Sequence, residues 1–133
     1  MAIQLFNVGV KAAILRDDRL LIVKHATKGF WDVPGGRIDD NESIEDTLGR
    51  EIAEELPNVK LVGIGKSICA YRVPDFTFDD GSGLVLLVYA VDAEYDENNI
   101  ELSSEHSEMK WATYDEAMEI GSHIVKETIK ALR

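Results

Sequence analysis

Apolar positions along this chain recur with two spacings, and the switch between them marks the expected elements. Residues 5–15 are rich in Val, Ile and Ala and read as a strand. The polar Arg16-Asp17-Asp18-Arg19 is a turn, and the apolar run 20–25 is expected to pair back as a hairpin. Residues 27–29 form a loop, and Phe30-Trp31-Asp32-Val33-Pro34 leads into Gly35-Gly36. The spacing then lengthens. Ile44, Leu48, Ile52 and Leu56 recur every four residues, an apolar stripe along a helix. Ser43 is its N-cap, and Asp46 three residues on approximates a capping box. Strand character returns over 61–72 and over 83–93, the most apolar run, expected at the centre of a sheet. Residues 73–82 are a loop, 95–104 a polar acidic loop, and 110–113 a short strand. A helical pattern over 115–132 is carried by Ala117, Ile120, Ile124, Ile129 and Leu132, with Gly121 as the point where it bends or divides.

A chain of 133 residues, 45% apolar, is expected to form one globular domain over 1–133. Cys69, the only cysteine, lies in an apolar run and reads as a buried core residue. It leaves no internal disulfide and fits a reducing cytoplasm. No basic segment followed by an apolar one opens the chain, so no signal peptide is expected. No apolar run approaches the roughly 20 residues that span a bilayer. The net charge of −11 argues against long nucleic acids as partners. Small anionic substrates remain compatible, because bound divalent cations reverse the field near the acids. A monomer or homodimer is expected.

The chemistry concentrates in residues 35–58. Glu51, Glu54 and Glu55 stand at i, i+3 and i+4, within an arc of about 100° on one helix face. Like charges so spaced repel, and a hard cation with oxygen ligands offsets that repulsion. An acidic helix face alone is usually just solvated; the surrounding pattern is what changes the reading. Gly36, Glu42, Arg50, Glu51, Ile52, Glu54 and Glu55 match the pattern Gly-x5-Glu-x7-Arg-Glu-U-x-Glu-Glu-x-Gly-U, where U is bulky and apolar. This stretch resembles the signature of the Nudix (MutT-like) hydrolases, with the box at 36–58. Pro57 and Asn58 depart from it, standing where the family has glycine and an apolar residue. Proline ends the helix differently, by pushing Leu56 out of the helical region, and Asn58 tolerates the left-handed region.

The resemblance implies an α/β Nudix fold, a mixed β-sheet sandwiched between α-helices. It implies hydrolysis of a nucleoside diphosphate linked to another moiety, with Mg²⁺, or Mn²⁺ in its place, as cofactor. By the family pattern Glu51 and Glu55 are direct metal ligands, and Glu54 a direct or water-mediated one. A carbonyl from Gly35 can be a further ligand, and Glu42 pairs with Arg50 across the loop–helix junction. Glu105-His106-Ser107-Glu108-Met109-Lys110-Trp111 resembles the family segment before the last strand. Glu105 is the candidate to reach the metal cluster as a ligand and to act as the base, with Glu108 second and Glu54 on the helix next. A small nucleotide substrate would meet Lys24, Arg72, Phe76 and Phe78. Lys24 serves either strand-end solvation or a phosphate contact, and the two phenylalanines either stack a base or fold back on the core. Nucleoside triphosphates are slightly favoured. Pro74 points to ADP-ribose and Ser104-Glu105-His106 to dinucleoside polyphosphates. The rival reading is a non-catalytic nucleotide-binding regulator, which loss of a signature acid would favour; every signature acid is present.

Overall fold

A computed structural model describes residues 2–133. The strands are β1 (Phe6–Ala13), β2 (Leu15–Arg16), β3 (Arg19–His25), β4 (Trp31–Asp32) and β5 (Gly35–Arg37). Helix α1 (Ile44–Glu55) follows, then β6 (Lys60–Arg72), β7 (Gly83–Glu94), β8 (His106–Ala112), α2 (Tyr114–Ile120) and α3 (His123–Ala131). The strands divide between two sheets. One is mixed, in the order β5-β1-β7-β6, with β1 parallel to β7 and the other pairs antiparallel. The other holds β2, β3 and β4, with β8 on the free side of β3. The most apolar run, β7, takes a central place, as expected.

The hairpin between the first two runs is shorter than its pattern suggests. Only Leu15 and Arg16 pair with Leu20 and Arg19, because β1 departs to the mixed sheet. Asp17 and Asp18 carry the left-handed angles (φ 49° and 63°) that a tight two-residue turn requires. Along β3, Leu20 and Ile22 face a core shared with α2 and α3, while Leu21 and Val23 face one shared with α1. Strands covered on both sides read as continuous apolar runs, which is why alternation is faint here.

Helix α1 buries Leu48, Ile52 and Leu56 against Val10, Ala12 and Ile14. Ser43 and Asp46 form a complete capping box. Leu56 ends the helix with φ −128° and ψ 77°, the displacement expected before Pro57. Asn58 is not left-handed; among described residues that region holds Asp17, Asp18, Asn41 and Asp75 besides glycines. Its side chain instead accepts from Glu101 N and donates to Asn99 O.

Two further expectations are corrected. The last strand starts at His106 rather than 110, because pairing along β3 carries polar residues with it. Cys69 is half-buried, packing against the α2–α3 core from the long β6. The C-terminal pattern divides into two helices at Gly121, one of the two outcomes expected there. A Cβ there would lie 2.5 Å from both Ala117 O and Val125 Cγ1, so close approach is what requires glycine.

Candidate active site

The acids of α1 face Gly35 and Gly36, which the sequence suggests as a turn but which open the short strand β5 beside β1. Gly35 has φ 146°, and a Cβ on it would fall 2.0 Å from Val10 O. A Cβ on Gly36 would fall 2.3 Å from the Glu51 carboxyl carbon, so the missing side chain makes room for that carboxylate. Gly35 N donates to Glu55 Oε2 at 2.8 Å. The other oxygen, Glu55 Oε1, lies 3.5 Å from His106 Nε2. Glu55 is only 5% exposed. Burial, above all, pushes its carboxyl up to about 8; Lys11 and the Gly35 N–H oppose the shift, while Glu51 and Asp32 add to it. Glu51 is also raised, first by burial and then by the charges of Glu54 and Glu105, against the pull of Arg50. Burial lowers His106.

Arg50 ties the 37–42 segment, between β5 and α1, to the helix. Its Nε and Nη2 meet the two oxygens of Glu42 at 2.8 and 2.9 Å. Nη1 donates to Glu51 at 2.9 Å and lies 3.5 Å from Glu54, and Nη2 donates to Arg37 O at 3.2 Å. Glu42 also accepts from Asp39 N and from the Thr47 hydroxyl. The Arg50 guanidinium holds the Glu42 carboxyl down to about 2, and Arg50 is itself raised.

Glu105 comes from far along the sequence to this cluster. One ligand atom from each of Glu55, Glu105 and His106 lies within 4.8 Å of the others. The loop is fixed by its backbone: Ser103 N donates to Glu55 O, and Ala26 N to Glu105 O.

The family profile described as the NUDIX domain matches residues 5–132. The chain belongs to the Nudix family. A "MutT-like protein" from Streptomyces ambofaciens is 30% identical over 121 residues, 86% of this chain and 69% of that one. An "8-oxo-dGTP diphosphatase" from Proteus vulgaris is 54% identical over 28 residues, 21% of this chain and 25% of that one. The crystal structure of a MutT NUDIX hydrolase from Burkholderia pseudomallei superposes with a TM-score of 0.80 at 26% identity, covering 96% of this chain and 98% of that one. As a Nudix hydrolase, the chain acts on pyrophosphate bonds.

The donor set of this Nudix site fits a hard divalent cation. Glu51 feels the charges of Glu54 and Glu105, Glu55 feels that of Glu51, and Glu55 is buried. Such a cluster lacks a compensating cation beyond Arg50 and Lys11, and oxygen ligands are what Mg²⁺ takes.

Beside the acids opens a cleft of about 470 Å³, lined by Lys11, Phe30, Asp32, Tyr71, Phe76 and Leu86 among others. Of the sequence-derived substrate residues, Phe76 lines it. Phe78 packs edge-on against Phe76, centroids 5.0 Å apart, beneath the Arg37 guanidinium. Lys24 pairs with Glu108 at 3.3 Å, and Arg72 bonds Gln4 and lies over Phe6; neither lines the cleft. Lys11 and Asp32 were not singled out by the sequence pattern. The available signal was Lys11 itself, a lone charge within an apolar strand.

Glu105→Gln is expected to lower kcat more than it raises KM, since proton abstraction belongs to the transition state. Steady-state kinetics checks this. Normal turnover, with Glu108→Gln impaired, would move the role to Glu108; normal turnover in both would return it to Glu54.

Proposed function

We propose that the chain is a divalent-metal-dependent pyrophosphohydrolase of nucleoside triphosphates. The observation that carries this reading is the junction between cluster and cleft. Lys11 and Asp32 line the aromatic-rimmed cleft and also act on the charge of Glu55. A substrate with its base in the cleft therefore carries its phosphates to the acids. A slot of this size and character suits a small ligand with one flat apolar part. The name of the Proteus relative points the same way.

In this reading Glu51 and Glu55 would hold the metal, with Glu54 and a Gly35 carbonyl as the further protein ligands. When bound, Mg²⁺ or Mn²⁺ supplies charge neutralisation, polarised phosphoryl oxygens and a more acidic water. Arg50 keeps the 37–42 segment on the helix and orients Glu51, so the ligands hold their positions without substrate. Glu105 takes the proton from the attacking water, and the phosphoanhydride breaks as the new P–O bond forms. The lone cysteine supports a reducing cytoplasm as the compartment. Among described residues no helix is long and apolar enough to cross a membrane.

A chromatographic assay over nucleoside triphosphates, ADP-ribose and dinucleoside polyphosphates tests the reading. Triphosphates should be hydrolysed fastest, excess EDTA should stop turnover, and Mg²⁺ or Mn²⁺ should restore it. Undiminished turnover in EDTA would refute metal dependence, and faster ADP-ribose hydrolysis would displace triphosphates as substrate.

A further inference from the structure

The Glu55 carboxylate is approached from two sides. Gly35 N donates to Oε2 at 2.8 Å, and His106 Nε2 lies 3.5 Å from Oε1. The His106 side chain is only 5% exposed. His106 opens β8, where its backbone pairs with His25 across a register shift. The ring is held as well as the backbone. His25 meets it edge-on, with centroids 6.3 Å apart and planes at 82°. His25 is itself stacked on Phe30, and its Nδ1 accepts from Lys28 N at 3.1 Å. Folding therefore sets which edge of the His106 imidazole faces Glu55.

The other ring nitrogen, Nδ1, is buried without a hydrogen-bond partner. A neutral imidazole carries one N–H and one bare nitrogen. A proton on Nδ1 would bury an unmet donor, whereas a proton on Nε2 faces a carboxylate. Hydrogen bonding thus selects the Nε2–H tautomer. Glu55, Glu105 and His106 each bring one ligand atom within 4.8 Å of the others, so direct coordination by the ring is the competing arrangement. A coordinating histidine donates its second ring N–H to a partner. Coordination through Nε2 would leave an Nδ1–H with none, and Nδ1 itself is buried away from any cation.

We propose that His106 is a positioning residue for Glu55, its Nε2–H holding Oε1 as the Gly35 N–H holds Oε2, so that the carboxylate is set in one orientation for a divalent cation. The inference rests on the reading of Glu55 as a metal ligand and adds the residue that orients it. A carboxylate held by one donor pivots about that bond, and a second donor on its other oxygen stops the rotation. The 3.5 Å separation is long for a full hydrogen bond, and contacts of this kind tighten when a site fills. His106 does not line the substrate cleft, so its role runs through Glu55.

Metal affinity of the full chain, read without turnover, tests this. Mn²⁺ is titrated into wild type, His106→Gln and His106→Phe, and the free ion is measured by electron paramagnetic resonance. Glutamine keeps an N–H donor at similar reach, and phenylalanine keeps the ring shape without one. His106→Phe should bind Mn²⁺ about 10- to 100-fold more weakly than wild type, and His106→Gln within about threefold of it. Unchanged affinity in a folded His106→Phe protein would overturn the proposal, as would a glutamine variant as weak as the phenylalanine one. If the variants fail to fold, nitrogen NMR of the Mg²⁺-loaded wild type decides. An Nε2–H tautomer at His106 is expected, and an Nδ1–H tautomer would overturn the proposal. Nitrogen coupling to bound Mn²⁺ that disappears in His106→Gln would reveal direct coordination and overturn it too. The expected affinity ranking in a protein that hydrolyses no triphosphate would refute the proposed reaction and sustain the positioning role.

Discussion

Glu55→Gln is expected to remove most of the turnover while making the metal-free protein more stable. The rate loss should be roughly 10²-fold or more, about 3 kcal/mol or more of barrier. Glutamine keeps the size of the side chain and can still accept from Gly35 N, but it carries no charge for a cation. The stability gain has a separate origin. Glu55 is raised to about 8 in the fold from an ordinary 4.5, because burial disfavours its charge. Between those values the folded chain holds a proton that the unfolded chain has released. Stability associated with Glu55 is thus fully present below pH 4.5 and is lost as pH rises through about 8, at about 1.4 kcal/mol per pH unit. The variant lacks that slope. Thermal melts in EDTA from pH 5 to 8 should show wild type falling relative to Glu55→Gln, and Mg²⁺ should raise the wild-type Tm more than the variant's. Parallel melting curves would remove Glu55 from the role of buried, cation-seeking acid. A rate within about threefold of wild type would remove it as a ligand.

Arg50→Ala is the second large effect, expected in both rate and stability. One guanidinium meets Glu42 through two bonds, Glu51 through one, and the Arg37 carbonyl through another. Its loss leaves Glu42 and Glu51 without their guanidinium partner and the 37–42 segment untied from the helix. Turnover should fall at least about tenfold, since ligand geometry depends on that tie. The acid side of the stability profile carries a distinct mark. Glu42 is lowered to about 2 from 4.5, chiefly by its bond to Arg50. Its stabilising contribution is present above pH 4.5 and is lost as pH falls through about 2. In Arg50→Ala that dependence should flatten. Unchanged Tm together with unchanged rate would rule out the clamp. Arg50→Lys should rescue little, because an ammonium cannot span both Glu42 oxygens as a planar fork does.

The parts of the site that lie on one element were legible in the sequence. The acids of α1, their common face, the Ser43–Asp46 cap and the displacement of Leu56 before Pro57 all follow from spacing and local backbone chemistry. Lys11 and Asp32 were not legible as a pair. Their meeting depends on β1 leaving β3 for the mixed sheet while β4 stays with β3, a choice that apolar runs covered on both faces do not express. His106 was hidden for a related reason. Its approach to Glu55 follows from the extension of β8 along β3 through a register shift between Lys24 and His25. Asn58 was read for its backbone, whereas its side chain carries the effect.

That side chain sets how freely the arm bearing Glu105 can move. Asn58 grips the chain at Asn99 and Glu101, Ser103 is held by the Glu55 carbonyl, and the Glu105 carbonyl is held by Ala26. An acid on a loose arm would surrender conformational entropy each time a substrate arrived, and that loss would count against the transition state. Here part of the backbone freedom is removed during folding, and Asn58, the residue that breaks the family pattern at the end of the box, makes two of the bonds that remove it. The substituted helix exit thereby becomes one anchor of the arm, and the ordering of the backbone that carries Glu105 is drawn from folding stability.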